Sequence, residues 1–161
     1  MGGRLRILRT SWLYGAKGAK SFVHRFAKNA AGSLKEGKTD VETTSNEVSV
    51  PTSTATVVRY MESVALGRFD SWAPDVVNAV PRWGGSVPPS RLDFAQAALD
   101  ELAKFDARFS KARLVPVERS GLWPTWSPLQ YCSPVDMPAW REDLAWFMRE
   151  HGGEVAALAM G

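Results

Sequence analysis

Arg9-Thr10-Ser11-Trp12-Leu13-Tyr14-Gly15 brings a guanidinium, two hydroxyls, an indole and a phenol together within one short run. Read as a strand, the run ends in a polar-aromatic tip and a glycine turn, the place where open α/β sheets bind their ligands. Gly15-Ala-Lys17-Gly18-Ala-Lys20-Ser21 follows, and its Lys-Ser ending invites comparison with a phosphate-binding loop. That loop needs Gly directly before the Lys and another Gly five residues earlier. Ala19 and Tyr14 stand there instead, so the spacing fails for nucleoside-triphosphate hydrolysis. A strand-to-helix turn is the plainer reading, although a helix N-terminus with nearby lysines still attracts phosphate. Trp123 and Trp126 bracket Pro124 in an irregular segment, where an indole can stack on a base or sugar or simply anchor a loop.

Other candidates carry less. His24 and His151 are far apart and have no ligand at helical spacing, so no metal site is written and both read as surface histidines. Cys132, the lone cysteine, reads as a core or loop residue. The acid pairs Asp100-Glu101 and Glu142-Asp143 read as solvated helix faces rather than catalytic carboxylates. Basic and aromatic residues interleave, but no recognised RNA- or DNA-binding motif occurs, so nucleic acid is not an expected partner.

The elements that must position these residues alternate between strand and helix. A strand is expected over Arg4–Tyr14, with Leu5, Ile7 and Leu8 as its apolar bulk. From Ser21 a helix places Phe22, Phe26 and Ala30 on one face and closes at Gly32. Residues 33–46 read as loop, with a short strand near Val41. Val48–Ser53 is extended ahead of Pro51. Thr52 or Ser53 caps a helix to about Leu66, with Val57, Met61, Val64 and Ala65 on its apolar face. Val76–Val80 reads as a buried strand, and Ser90 with Asp93 forms a capping box opening a helix to about Phe109. The apolar face of that helix is Leu92, Ala95, Leu99, Leu102 and Phe105. Leu114–Val117 is extended, 119–138 irregular. A last helix begins at Asp136 or Pro138, packs Trp140, Leu144 and Phe147, and stops at Gly152-Gly153. The pattern is α/β, with so few and such short strands that they need others to complete a sheet.

At 161 residues, with 45% apolar and 23% charged positions, the chain has the make-up of one folded domain, 1–161. No window approaches the roughly 18 apolar residues of a membrane span. Residues 1–38 hold nine Lys/Arg against the single acid Glu36, a local +8 within a total of +3, so the other 123 residues carry −5. Nucleotide phosphates, nucleic acid or an import machinery would each answer that charge, and a solvated basic helix face is the bland alternative. An acid-free, Arg-rich start resembles a mitochondrial presequence. Residues 4–14 look like a strand rather than an amphipathic helix, so the cytoplasm is the expected compartment and the mitochondrion the alternative.

The run Arg9–Gly15 (RTSWLYG), followed by Ser21-Phe22-Val23, resembles the dTDP-4-dehydrorhamnose reductases of the extended short-chain dehydrogenase class. Weaker matches follow in the same order. Asn46-Glu-Val-Ser-Val-Pro51-Thr52 is similar to that family's D-Q-x-G-x-P-T segment, Val76–Val80 to its G-x-Y-H strand, and Leu122–Leu129 to its R-R-P-x-N-S-x-L segment. A closing tryptophan-bearing helix matches Pro138–Arg149. Only RTSWLYG is specific by itself. The resemblance implies a fold: a partial Rossmann-like, C-terminal substrate-binding portion, with short strands and flanking helices.

It also implies roles. Trp12, Trp123, Trp126 and Ser127 would line a nucleotide-sugar site, and Arg9, Thr10 and Ser11 would lie near the nicotinamide end of the cofactor cleft. The family reduces its ketosugar with NADPH, a tyrosine of a Tyr-x-x-x-Lys pair donating the proton. This sequence has neither that pair nor the family's N-terminal glycine fingerprint: Tyr14, Tyr60 and Tyr131 are followed four residues on by Gly18, Val64 and Val135. NADPH is therefore not an expected ligand of this chain alone. Its expected complement is an N-terminal Rossmann half or another protein subunit. Ser21, Asn46-Glu47 and Trp123 replace the family's Asn, Asp-Gln and second Arg. Those departures favour the alternative of a non-catalytic interaction subunit, of which the methionine adenosyltransferase β subunit is an example.

Overall fold

The computed structural model describes residues 7–16, 21–67, 76–82, 88–120 and 138–161. The elements run β1 (Ile7–Arg9), β2 (Leu13–Tyr14), α1 (Phe22–Lys35), β3 (Asp40–Thr44), β4 (Thr52–Ser53), α2 (Thr54–Ala65), β5 (Val76–Asn78), α3 (Arg91–Ala103), a 3-10 turn (Ala107–Lys111), β6 (Arg113–Val117) and α4 (Trp140–Met160). Among the described residues the strand ladders are three parallel two-stranded pairs: β1 with β5, β2 with β4, and β3 with β6. The α/β class expected from alternating strand and helix patterns is what the chain adopts.

The main core lies where α1, α3 and α4 meet. Val23, Phe26, Ala27 and Ala30 of α1 pack with Phe94, Ala98 and Leu102 of α3 and with Leu144, Phe147 and Met148 of α4. Phe94 is its hub, with ring centroids 5.4 Å from Tyr14, 4.9 Å from Phe22 and 6.2 Å from Trp140. The small alanines let the helices approach closely, so the aromatic rings interdigitate instead of holding the helices apart. A separate, smaller cluster of Tyr60 and Ala79 with Leu8 and Val64 seats α2 on the β1–β5 ladder.

Several boundaries differ from the expectation, each for a local reason. The strand foreseen over Arg4–Tyr14 is broken: its described part is β1 and β2, separated by a left-handed Trp12 at φ 36°. Gly32 does not close α1. The helix runs on to Lys35, and Gly37, at φ 76°, supplies the left-handed turn that ends it. Within the stretch read as loop over 33–46, the short strand expected near Val41 is β3, which extends over five residues because β6 offers a partner in register from Asp40↔Arg113 to Thr44↔Val117. Ser53 is the cap of α2, its hydroxyl accepting from Thr56 N at 3.0 Å.

The buried face of α2 is Thr56, Tyr60 and Ser63, while Met61 is 54% exposed. A polar network, described below, turns the helix that way. The Ser90–Asp93 capping box is present, but α3 ends at Ala103, and the chain then enters the 3-10 turn capped by Asp106. Phe105 falls beyond the helix and is 44% exposed, whereas Phe94 is fully buried.

The closing helix does not stop at Gly152-Gly153 but continues to Met160. Gly152 is buried, and a Cβ there would run into the ring of Phe105. The glycine is what lets that ring lie on the helix backbone. Gly153 has no such duty: it is exposed, and a Cβ would meet Phe105 at an ordinary 3.7 Å. Gly153→Ala is therefore expected to stabilise the fold by about 0.5–1 kcal/mol through backbone entropy. In a chain of this size that raises Tm by roughly 1–4 °C, readable by calorimetry.

Candidate functional site

The polar-aromatic tip lies at the C-terminal ends of parallel strands, the end at which open α/β sheets bind ligands. β1 delivers Thr10 and Ser11, and the chain reverses its local hand at Trp12 before re-entering extended structure as β2. A left-handed conformation costs a non-glycine residue about 1–2 kcal/mol. Neighbours hold it. Thr52 N donates to the Trp12 carbonyl at 3.3 Å, and the Ser11 and Ser49 hydroxyls are hydrogen-bonded to each other. The Arg91 guanidinium lies 4.5 Å from the centroid of the Trp12 ring and 5.2 Å from that of Phe22.

Arg91 opens α3, where a cation faces the positive end of the helix dipole. Glu47 offsets it. Its carboxylate pairs with the Arg91 guanidinium and, at 3.3 Å, with Arg119, while its carbonyl accepts from Arg91 N at 2.8 Å. Asn46 clasps the same strand end from the other side, its amide donating to Arg119 O at 3.1 Å and accepting from Arg119 N at 3.2 Å. Ser49 N donates to Pro89 O at 3.1 Å. The segment 46–49 is thus pinned between the start of α3 and the end of β6, with the Trp12 ring beneath Arg91.

Below the tip sits the residue that periodicity misplaced. Asp143, read as part of a solvated helix face, is 2% exposed. Its Oδ1 accepts from Ser53 Oγ at 2.7 Å and Thr56 Oγ1 at 2.6 Å. Its Oδ2 accepts from Ser53 N at 2.9 Å and the Tyr14 hydroxyl at 3.1 Å. One carboxylate therefore ties the first turn of α4 to β2, β4 and the start of α2. Because it bonds Tyr14, two residues beyond Trp12, it fixes the tip. A usable signal was present: Ser53 and Thr56 are polar residues at the buried start of a helix, and Tyr14 is a phenol in a core strand. All three need a buried acceptor.

Burial raises the pKa of Tyr14 above its ordinary 10.0, and the charge and hydrogen bond of Asp143 push it further the same way. The folded state therefore holds its phenol proton where the unfolded chain has lost it. The contribution is fully present below pH 10 and declines above it, by up to about 1.4 kcal/mol per pH unit for one group. In alkaline unfolding titrations, Tyr14→Phe is expected to flatten the stability loss above pH 10.

The foreseen site residues divide. Arg9, Thr10, Ser11 and Trp12 stand together at the tip, whereas Trp123, Trp126 and Ser127 lie outside the described residues. The two histidines are half-buried rather than superficial, and the His151 ring lies tilted against Phe147 with centroids 5.2 Å apart. Among the described residues no group of three or more His, Cys, Asp or Glu could hold a metal ion. A dinucleotide needs a cradle of backbone N–H groups at a glycine-rich turn for its pyrophosphate. The sequence lacks that fingerprint, and at the tip Ser11 is already bonded to Ser49. The residues present do not fit NADP as a complete site. No helix among the described residues is long and apolar enough to cross a membrane.

Comparison with known proteins gives the family and the fold. Residues 1–151 match the family model of the RmlD substrate binding domain. No curated protein sequence matches the chain. Among solved structures, the dTDP-4-dehydrorhamnose reductase of Bacillus anthracis, crystallised with NADP, superposes with a TM-score of 0.60 at 20% identity, over 92% of this chain and 49% of that one. The orthologue from Clostridium acetobutylicum gives 0.62 at 20% identity, over 90% and 48%. The reductase of Yersinia enterocolitica gives 0.59 at 20% identity, over 89% and 48%. The chain spans about half the length of these structures.

Proposed function

Because the chain belongs to the RmlD substrate binding domain family, we propose that it is the nucleotide-sugar-binding portion of a dTDP-4-dehydrorhamnose-reductase-like protein and reduces nothing by itself. The observation that carries this reading is Trp12. Its backbone is held left-handed at the ligand end of the sheet, and three neighbouring segments hold the tip in place. Strain of this kind persists where the surroundings over-determine it, and such places cluster at ligand sites. In this reading the indole presents a flat apolar surface to the sugar, and the hydroxyls of Thr10 and Ser11 offer polar contacts beside it. Trp123, Trp126 and Ser127 complete the site. The single cysteine fits a cytoplasmic setting.

Reduction needs a hydride carrier and a proton donor. The sequence supplies neither the glycine fingerprint for the one nor the Tyr-x-x-x-Lys pair for the other. Incubated with NADPH and a dTDP-4-ketosugar, the chain is expected to leave the 340 nm absorbance of ~0.1 mM NADPH at the buffer rate, within the range of working concentrations for such enzymes. Measurable turnover would contradict the reading.

One observation favours a second reading, an interaction or regulatory subunit that keeps the fold. Asn46 and Glu47 stand where the reductases carry Asp-Gln, and both are spent internally on Arg119 and Arg91. A stable protein partner combined with no nucleotide-sugar binding would favour that reading over the first.

A further inference from the structure

α1 contains no acid, and its surface is sharply divided. Val23, Phe26, Ala27, Ala30 and Ala31 are buried in the core, while Arg25, Lys28, Asn29 and Lys35 are exposed. At 3.6 residues per turn, Arg25, Lys28, Gly32 and Lys35 fall within about 80° of arc, along about 15 Å of helix. Elsewhere Lys38, Arg91, Lys104, Arg108, Arg113 and Arg119 each lie against a carboxylate. Arg25, Lys28 and Lys35 have no carboxylate partner among the described residues. Their placement does not serve the helix. Like charges three residues apart repel. Arg25 also stands in the first turn, near the positive end of the helix dipole, where no acid offsets it. Lys111 extends the strip: the 3-10 turn packs against α1, and Arg113 N donates to Thr39 O at 2.8 Å, so this exposed lysine lies on the side of the fold where α1 ends.

Gly32 adds a feature of a different kind. It sits in the middle of the exposed face, and a Cβ there would meet nothing within 4 Å. Glycine inside a helix costs stability, and no packing within the chain calls for it at this position. It leaves a saddle between Lys28 and Lys35 at which another backbone can approach closely. We propose that this face of α1 docks an acidic helix of a partner protein, which crosses at Gly32 and sets carboxylates one turn apart against Arg25, Lys28 and Lys35. Such a helix matches both the charge and the saddle. Other polyanions match the charge alone. A bilayer is entered by the apolar face of a helix, and that face of α1 is buried in the core. Single-stranded nucleic acid stacks its bases on exposed rings, and the strip has none. The docking face is one that neither reading above uses, and it does not depend on nucleotide-sugar binding.

The test is fluorescence anisotropy of a labelled helical alanine peptide with glutamates one turn apart, titrated with the full chain at low salt. Saturable one-to-one binding is expected, weakening as salt rises. Lys28→Glu should weaken it at least about ten-fold, and Gly32→Leu should do the same by filling the saddle. Lys104→Glu, the same charge reversal just beyond α3, should change it by less than about two-fold. All three variants should melt with the parent or above it, because the positions are exposed or open and leucine is a better helix former than glycine. A uridine oligonucleotide and phosphatidylserine vesicles are titrated in parallel. Tighter binding of either than of the peptide, or peptide binding indifferent to Gly32→Leu, makes the face a general polyanion surface and overturns the inference. Absence of peptide binding at low salt overturns it as well. So does a homodimer that Lys28→Glu dissociates, since a second copy would then occupy the face.

Discussion

Replacing Asp143 with alanine is expected to cost the fold about 3–5 kcal/mol, the largest loss available from any single side chain described above. The substitution strands four donors at once: Ser53 N, Ser53 Oγ, Thr56 Oγ1 and the Tyr14 hydroxyl. All four belong to three buried residues, so water cannot replace the carboxylate without opening the junction between α4, β2 and β4. Asparagine is the informative control. Ser53 N and Tyr14 require an acceptor on the Oδ2 side, which the asparagine oxygen supplies. On the Oδ1 side the amide N–H groups can face two hydroxyls, which are able to turn and accept. Asp143→Asn is therefore expected to cost only about 1–2 kcal/mol. Urea unfolding of the two variants checks the order, and an alanine cost below about 1 kcal/mol would remove Asp143 from the role given to it here.

The second large effect is on binding. Trp12→Ala is expected to weaken nucleotide-sugar affinity at least ten-fold, about 1.4 kcal/mol or more, within the range a stacked aromatic contributes. The fold should tolerate the change better than the Asp143 substitution. Trp12 is only partly buried and packs at the margin of the core, and Arg91 keeps its partner Glu47. Trp12→Gly sharpens the comparison. It removes the same indole but relieves the left-handed backbone, so its stability should exceed that of Trp12→Ala by about 1 kcal/mol at equal loss of affinity. Equal affinities for parent and both variants would place the ligand elsewhere.

How far the sequence foretold this architecture depends on which physics set each element. Short-range signals were legible. The Ser90–Asp93 box, the Ser53 cap and the alternation of strand with helix each depend on residues within a few positions of one another. Long-range pairing was not. β3 shows in the sequence only as a short strand near Val41 inside a polar loop, because Asp40, Glu42, Thr43 and Thr44 are polar, and its full five residues are set by pairing with β6. Glycine misled twice, at Gly32 and Gly152, since a helix packed along its length tolerates the entropic cost of a glycine that tertiary contacts need or permit. Asp143 is the same lesson in polar form. An acid beside an acid on an amphipathic helix looks solvated until three other elements bring donors to it. At the tip, residue types pointed to a ligand end, but nothing local announced the left-handed Trp12 or the Arg91 above it.

Calorimetric titration of the full chain with a dTDP-sugar shows whether the Trp12 tip holds a nucleotide sugar. Saturable one-to-one binding is expected, and it should disappear in Trp12→Ala while that variant still melts cooperatively. A titration without heat, together with no shift in Tm at millimolar dTDP-sugar, would contradict it.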